Sequence, residues 1–158
     1  MSKTLVAYFS ASGTTKALAK DLSSFLQGDL HEILPVQPYT KEDLDWQNDQ
    51  CRSSVEMKDK AFRPAVQNKV DHMEDYDVIY LGFPIWWYVA PTIVNTFLEQ
   101  YDLSNKTIIP FATSGSSPMG NTVKELQISC PNAIVLPGKR FAMNTSKEEL
   151  KTWLSSSK

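Results

Sequence analysis

The pattern of this chain predicts a doubly wound α/β fold, a parallel five-stranded sheet with helices on both faces, and three observations carry that prediction. Short apolar runs alternate with helical stretches from one end of the sequence to the other. One run, residues 77–83 (DVIYLGF), is apolar almost throughout, as expected of a central parallel strand covered on both faces. Five such strands fit within 158 residues, whereas a closed α/β barrel needs roughly 250.

The first apolar run, 5–9, stops at Ser10-Ala11-Ser12-Gly13-Thr14-Thr15, a cluster of turn and cap residues, and so predicts a strand entering a loop. From Lys16 the residues Ala17, Leu18, Leu22, Phe25 and Leu26 share one helical face, and Gly28 stands where that helix is expected to end. Residues 29–36 alternate only loosely and meet Pro35 and Pro38, which predicts a shorter second strand nearer a sheet edge. Residues 41–60 are heavily charged, with Leu44, Cys51 and Val55 as a sparse stripe, and predict a mostly exposed helix ended by Phe62-Arg63-Pro64. A short helix is expected before Tyr76, and 77–83 form the third strand. Pro91 is expected at the first helical position of the next helix, whose buried stripe is Ile93, Val94, Phe97 and Leu98. Residues 106–113 predict the fourth strand, Val123, Leu126 and Ile128 a helix, and 133–136 the fifth strand. A closing helix is expected over 146–156, with Ser146 and Glu149 at capping-box spacing.

Length sets the expectation of one domain over 1–158, without repeats or linkers. Sixteen basic and eighteen acidic residues leave a net charge of −2, and Lys and Arg are scattered, which argues against nucleic acid as a partner. No stretch has the length of a membrane span or the pattern of a secretory signal, so a cytoplasmic protein with no membrane association is expected. Cys51 and Cys130 have neither CxxC nor ligand spacing, and His31 and His72 lack ligating neighbours; ordinary thiols and no metal are expected.

In open α/β sheets, ligands bind beyond the carboxyl ends of strands where the strand order reverses, and three loops at those ends are unusual here. Residues 10–15 offer four hydroxyls and one glycine at the start of a helix, a setting in which amides, hydroxyls and the helix field suit a phosphate. Neither GxxxxGK[ST] nor GxGxxG is present, so a monophosphate fits best; a plain N-cap loop is the structural alternative. Pro84-Ile85-Trp86-Trp87-Tyr88-Val89-Ala90-Pro91 places three successive aromatics in a loop, suited to a planar heterocycle or, alternatively, to covering the sheet end or a protein interface. Thr113-Ser114-Gly115-Ser116-Ser117-Pro118-Met119-Gly120 again combines hydroxyls, glycines and backbone amides, suited to the polar edge of such a ring; alone it is an ordinary turn composition.

With those motifs in place, the chain resembles the flavodoxin-like flavoproteins along essentially its whole length, and within them a group of short bacterial flavodoxin-like proteins. Ser10-x-Ser12-Gly13-Thr14-Thr15 is similar to the flavodoxin phosphate loop, T/S-x-T/S-G-x-T, which holds FMN phosphate without a basic side chain. The resemblance implies strand order 2-1-3-4-5, FMN as cofactor, and Ser10, Ser12, Gly13, Thr14 and Thr15 as phosphate ligands. Residues 82–87 (GFPIWW), followed by Pro91 and Phe97-Leu98-Glu99, resemble the segment of flavodoxin-fold quinone reductases whose backbone runs along the isoalloxazine, and Thr113-Ser114-Gly115 fits the third FMN loop.

Two departures bear on function. Electron-carrying flavodoxins typically have a glycine in the second loop, where a rotating peptide donates to N5 of the one-electron-reduced ring, and residues 84–91 contain none. Those carriers are also far more acidic than a chain of net charge −2. The expectation is therefore an FMN-dependent oxidoreductase passing electrons or hydride from a nicotinamide or protein donor to a small acceptor such as a quinone, with no catalytic acid or base required. Trp86, Trp87 and Tyr88 would shape the ring face, and Ser114, Gly115 and Ser116 the pyrimidine edge. Alternatives are a flavodoxin-type shuttle between protein partners and a flavin-free interaction module, and both monomer and homodimer remain open.

Overall fold

The computed structural model describes residues 3–10, 14–36, 40, 50, 52–58, 63–67, 69–70, 72–85, 90–114, 122–142 and 147–156. In chain order the elements are β1 (Lys3–Tyr8), α1 (Thr14–Leu26), β2 (Asp29–Glu32), α2 (Arg52–Lys58), a 3-10 turn (Met73–Asp75), β3 (Tyr76–Pro84), α3 (Thr92–Glu99), β4 (Thr107–Ser114), α4 (Thr122–Ser129), β5 (Ile134–Val135), β6 (Lys139–Ala142) and α5 (Lys147–Ser156).

The strands pair in parallel in the order β2-β1-β3-β4-β5, with β6 also on β4. This is the predicted order, and β2 lies at the edge. The fifth position differs from expectation: two short strands share it. β5 pairs with Thr107 and Ile108, the chain turns through Gly138 at φ +66°, and β6 resumes beside residues 111–114. A Cβ at Gly138 would lie 2.0 Å from the Pro110 carbonyl oxygen, so glycine is needed where the edge strand rejoins the sheet.

The two sheet faces are covered by separate cores. One contains Leu5, Ile79, Leu81 and Phe83 with Ile93, Val94, Phe97 and Leu98 of α3 and Leu126 of α4. The other contains Val6, Tyr80 and Phe111 with Leu18 and Leu22 of α1 and Leu150 and Leu154 of α5. The predicted α3 stripe is wholly buried, and each such side chain contributes about 1.5–3 kcal/mol of transfer free energy. At Gly82, in register with Phe111, the missing side chain leaves room for the Phe111 ring: a Cβ there would sit 2.3 Å from it.

Several local expectations are corrected. Helix α1 ends with Gln27, not Gly28, in the left-handed region (φ 53°), and the Gly28 and Gln27 amides close on the Ser23 and Ser24 carbonyls. Gly28 is small for another reason: a Cβ would meet the Thr4 carbonyl oxygen at 2.9 Å. Pro91 is the N-cap of α3 (φ −56°, ψ 144°) rather than its first helical residue. The short helix expected before Tyr76 is a single 3-10 turn. In α2, Val55, expected on the apolar stripe, is 54% exposed, whereas Glu56 is buried and its carboxylate accepts from Arg52 Nε at 2.8 Å. Ile128 of α4 also faces outward. Cys130 is buried, its thiol donates to the Leu126 carbonyl at 3.3 Å, and burial pushes its pKa up to about 11. Leu44, Cys51 and Ser146 lie outside the described residues. No helix among the described residues is long and apolar enough to cross a membrane.

Candidate functional site

Parallel order sends the carboxyl ends of β1, β3 and β4 to one side of the sheet, and that side carries the three loops of unusual composition. Their roots are bound together. The Phe9 amide donates to Gly82 O at 2.9 Å, extending β1 beside β3, and the Ile85 amide donates to Thr113 O at 3.0 Å, tying the root of the second loop to that of the third. Thr15, in the first turn of α1, shares a buried 2.8 Å hydrogen bond between its Oγ1 and Thr113 Oγ1. Thr113 is therefore where all three loop roots meet: its hydroxyl holds the first, its carbonyl the second, and its own chain continues into the third.

The electrostatics of the first root suit an anion. Helix α1 begins at Thr14, has thirteen residues, and carries no acidic residue in its first turn, so no carboxylate of its own opposes the positive end of its dipole. Below the loop, the Tyr8 hydroxyl is bonded to Glu32, its register partner on β2; burial foremost, then the Glu32 charge and this bond, raise the Tyr8 pKa to about 12. Lys16 Nζ lies 4.0 Å from the same carboxylate.

At the end of β4, a residue outside the sequence expectations enters. Arg140 of β6 donates from Nε to Ser114 Oγ at 2.8 Å and from Nη2 to Ser114 O at 3.1 Å. Its signal in the sequence is slight, a charged residue two positions after Gly138 in a run not expected to be a strand. A second grip lies on the far side of α3. Arg63 donates from Nε and Nη2 to the two Glu99 oxygens at 2.9 and 3.0 Å, and Ser129 Oγ, which accepts from Asn95 Nδ2 at 2.8 Å, donates to Glu99 Oε2 at 2.8 Å.

Of the expected site residues, the structure brings Thr15, Ile85 and Thr113 into one hydrogen-bonded cluster, with Ser10 two residues beyond the end of β1, Pro84 at the end of β3 and Ser114 directly following Thr113 at the end of β4. Thr14 opens α1. Ser12, Gly13, Trp86, Trp87, Tyr88, Gly115 and Ser116 lie outside the described residues.

A doubly wound sheet of this order, with polar loop roots joined at its switch point, defines a flavodoxin-type α/β protein. The chain belongs to the Flavodoxin family, whose model matches residues 3–157. Among solved structures it is similar to a candidate flavoprotein from Bacteroides uniformis (49% identity, TM-score 0.92, 98% of each chain covered). A candidate flavoprotein from Bacteroides eggerthii is also similar (45% identity, TM-score 0.89, 99% of this chain and 98% of that chain). A flavoprotein in complex with FMN from Lactobacillus acidophilus shares the fold at 22% identity (TM-score 0.75, 98% of this chain and 99% of that chain). No curated protein matches the sequence.

Proposed function

We propose that this chain is a single-domain FMN-binding oxidoreductase that passes electrons or hydride from a nicotinamide or protein donor to a small acceptor such as a quinone. The observation that carries the reading is the junction at Thr113, which joins the first turn of α1 to the roots of both other loops. The donor set fits the group: a helix N-terminus with no acidic residue in its first turn and hydroxyls for a phosphate, and a tethered polar strand end for a ring edge. Family membership and the FMN complex of the Lactobacillus acidophilus relative support the same cofactor.

In this reading Ser10, Ser12, Gly13, Thr14 and Thr15 hold the phosphate. Pro84, Ile85, Trp86, Trp87 and Tyr88 cover a ring face and exclude water, and Thr113, Ser114, Gly115 and Ser116 hydrogen-bond the pyrimidine edge. Bound FMN supplies the hydride and electron chemistry, while the protein orients the ring and sets its potential. The absence of glycine in 84–91 and the small net charge favour a reductase over a carrier.

The test is a visible spectrum of the protein with FMN during anaerobic reduction by NADH, NADPH and then dithionite. A perturbed flavin spectrum with rapid bleaching by a nicotinamide supports the reductase. Slow nicotinamide reaction with two separate one-electron stages under dithionite makes the chain a shuttle, and an unperturbed flavin spectrum overturns FMN binding.

A further inference from the structure

We propose that Arg140 is the positioning residue that presents Ser114 to the bound flavin and sets the charge at that end of the site, raising the two-electron potential. The inference rests on the FMN reading above and goes beyond it, since neither the loop motifs nor the sequence pattern pointed to β6.

The geometry is specific. In the parallel pairing of β4 with β6, Arg140 stands beside Ala112, and Ser114 stands beside Ala142. Register partners in a parallel pair project to the same face, and so do residues two apart, so Arg140 and Ser114 share a face. The guanidinium reaches forward along that face to the last residue of β4. Two of its donors engage one residue, Nε the hydroxyl oxygen and Nη2 the carbonyl oxygen. Such a planar fork fixes orientation as well as distance, which an ammonium does not.

Two consequences follow. Because Ser114 Oγ accepts from Arg140, its hydrogen is directed away from the guanidinium, and the hydroxyl is set as a donor. Ser114 is buried and Arg140 is half-buried, so solvent screens the charge only in part. Flavin that has taken up two electrons and one proton carries one more negative charge on its ring than oxidised flavin. A fixed cation favours the more negative form, as it does for any titrating group.

The test compares Arg140→Gln, which keeps a donor but removes the charge, with Arg140→Lys, which keeps the charge but loses the fork. Measured quantities are the thermal midpoint of each protein without FMN, the FMN dissociation constant by fluorescence, and the midpoint potential by spectroelectrochemistry. In R140Q the affinity for reduced FMN falls tenfold more than that for oxidised FMN, which lowers the two-electron potential by about 30 mV. In R140K the potential stays within a third of that drop, while oxidised FMN binds several-fold more weakly because the fork is lost. A purely structural role would change thermal midpoints and dissociation constants but leave all three potentials equal, and that result overturns the inference while the FMN reading stands. Failure of the wild-type protein to bind FMN removes the reading itself, and the two failures are distinguished by that first titration.

Discussion

The hydroxyls of Thr15 and Thr113 meet at 2.8 Å across 98 residues of sequence, and both residues are almost wholly buried. The contact joins the first turn of α1 to β4 and ties the root of the first loop to the roots of the other two. A buried hydroxyl stripped of its partner costs the desolvation it no longer recovers, whereas removing both hydroxyls at constant shape is nearly neutral.

Thr15→Val and Thr113→Val are therefore each expected to destabilise the protein by about 1–3 kcal/mol, and the double variant by clearly less than the sum. Urea unfolding of the four proteins checks the cycle. Strict additivity would mean that the two hydroxyls do not depend on each other.

FMN binding should appear as stability. At a free concentration one hundred times its dissociation constant, FMN is expected to stabilise the fold by about 2.7 kcal/mol. For a chain of this size that corresponds to a rise of roughly 5–11 °C in thermal midpoint. Riboflavin, which lacks the phosphate, should give a much smaller rise at the same concentration. Equal shifts would show that the loop at residues 10–15 does not hold a phosphate.

Gly82→Ala is expected to destabilise the protein by about 1–3 kcal/mol, because the added methyl must displace the buried Phe111 ring from its place over β3. Gly138→Ala combines a close approach to Pro110 with an unfavourable left-handed backbone and should cost about 2–4 kcal/mol. Differential scanning calorimetry ranks them, with the Gly138 variant expected to melt lower.

Glu99 supplies a pH dependence. The hydrogen bond from Arg63, opposed by burial and aided by Ser129 and the Arg63 charge, holds its carboxyl below the usual carboxylate range. The folded-state pKa is thus lower than the unfolded one. The contribution is fully present above the unfolded value, about 4.3, and is lost as pH falls through the folded value. Urea midpoints of wild type and Glu99→Gln should differ at pH 7 and converge as pH drops from about 5 towards 3. Parallel curves would show that the grip on Glu99 does not stabilise its charged form.

Strand and helix order was largely legible because burial leaves a local pattern along the chain. The α3 stripe buries one side of a helix, the central run 77–83 is apolar almost throughout because both its faces are covered, and both took the predicted places. Where the structure departs from the expected pattern, the deciding interactions are side-chain pairing and tertiary contact, which apolar rhythm does not register. Glu56 is buried with Arg52 donating to it from one turn away, while Val55, the apolar residue, faces outward. Gln27 accepts the left-handed turn, and Gly28 is reserved for a close approach by β1. The β6 segment was missed because Lys139 and Arg140 interrupt its apolar pattern, and pairing with β4 compensates for that.

For the site, composition alone singled out the loops at 10–15, 84–91 and 113–120, since hydroxyls, glycine and adjacent aromatics in loops are visible without coordinates. It could not reveal that Thr113 binds the other two loop roots, or that Arg140 holds Ser114. Periodicity and loop chemistry are properties of neighbours along the chain, so the sequence by itself determined the α/β class, the order of most elements and the residue types offered to a ligand. The tertiary structure decided which of those residues meet, because hydrogen bonds over 98 or 26 residues exist only once α1 has packed on the sheet and β6 has paired with β4.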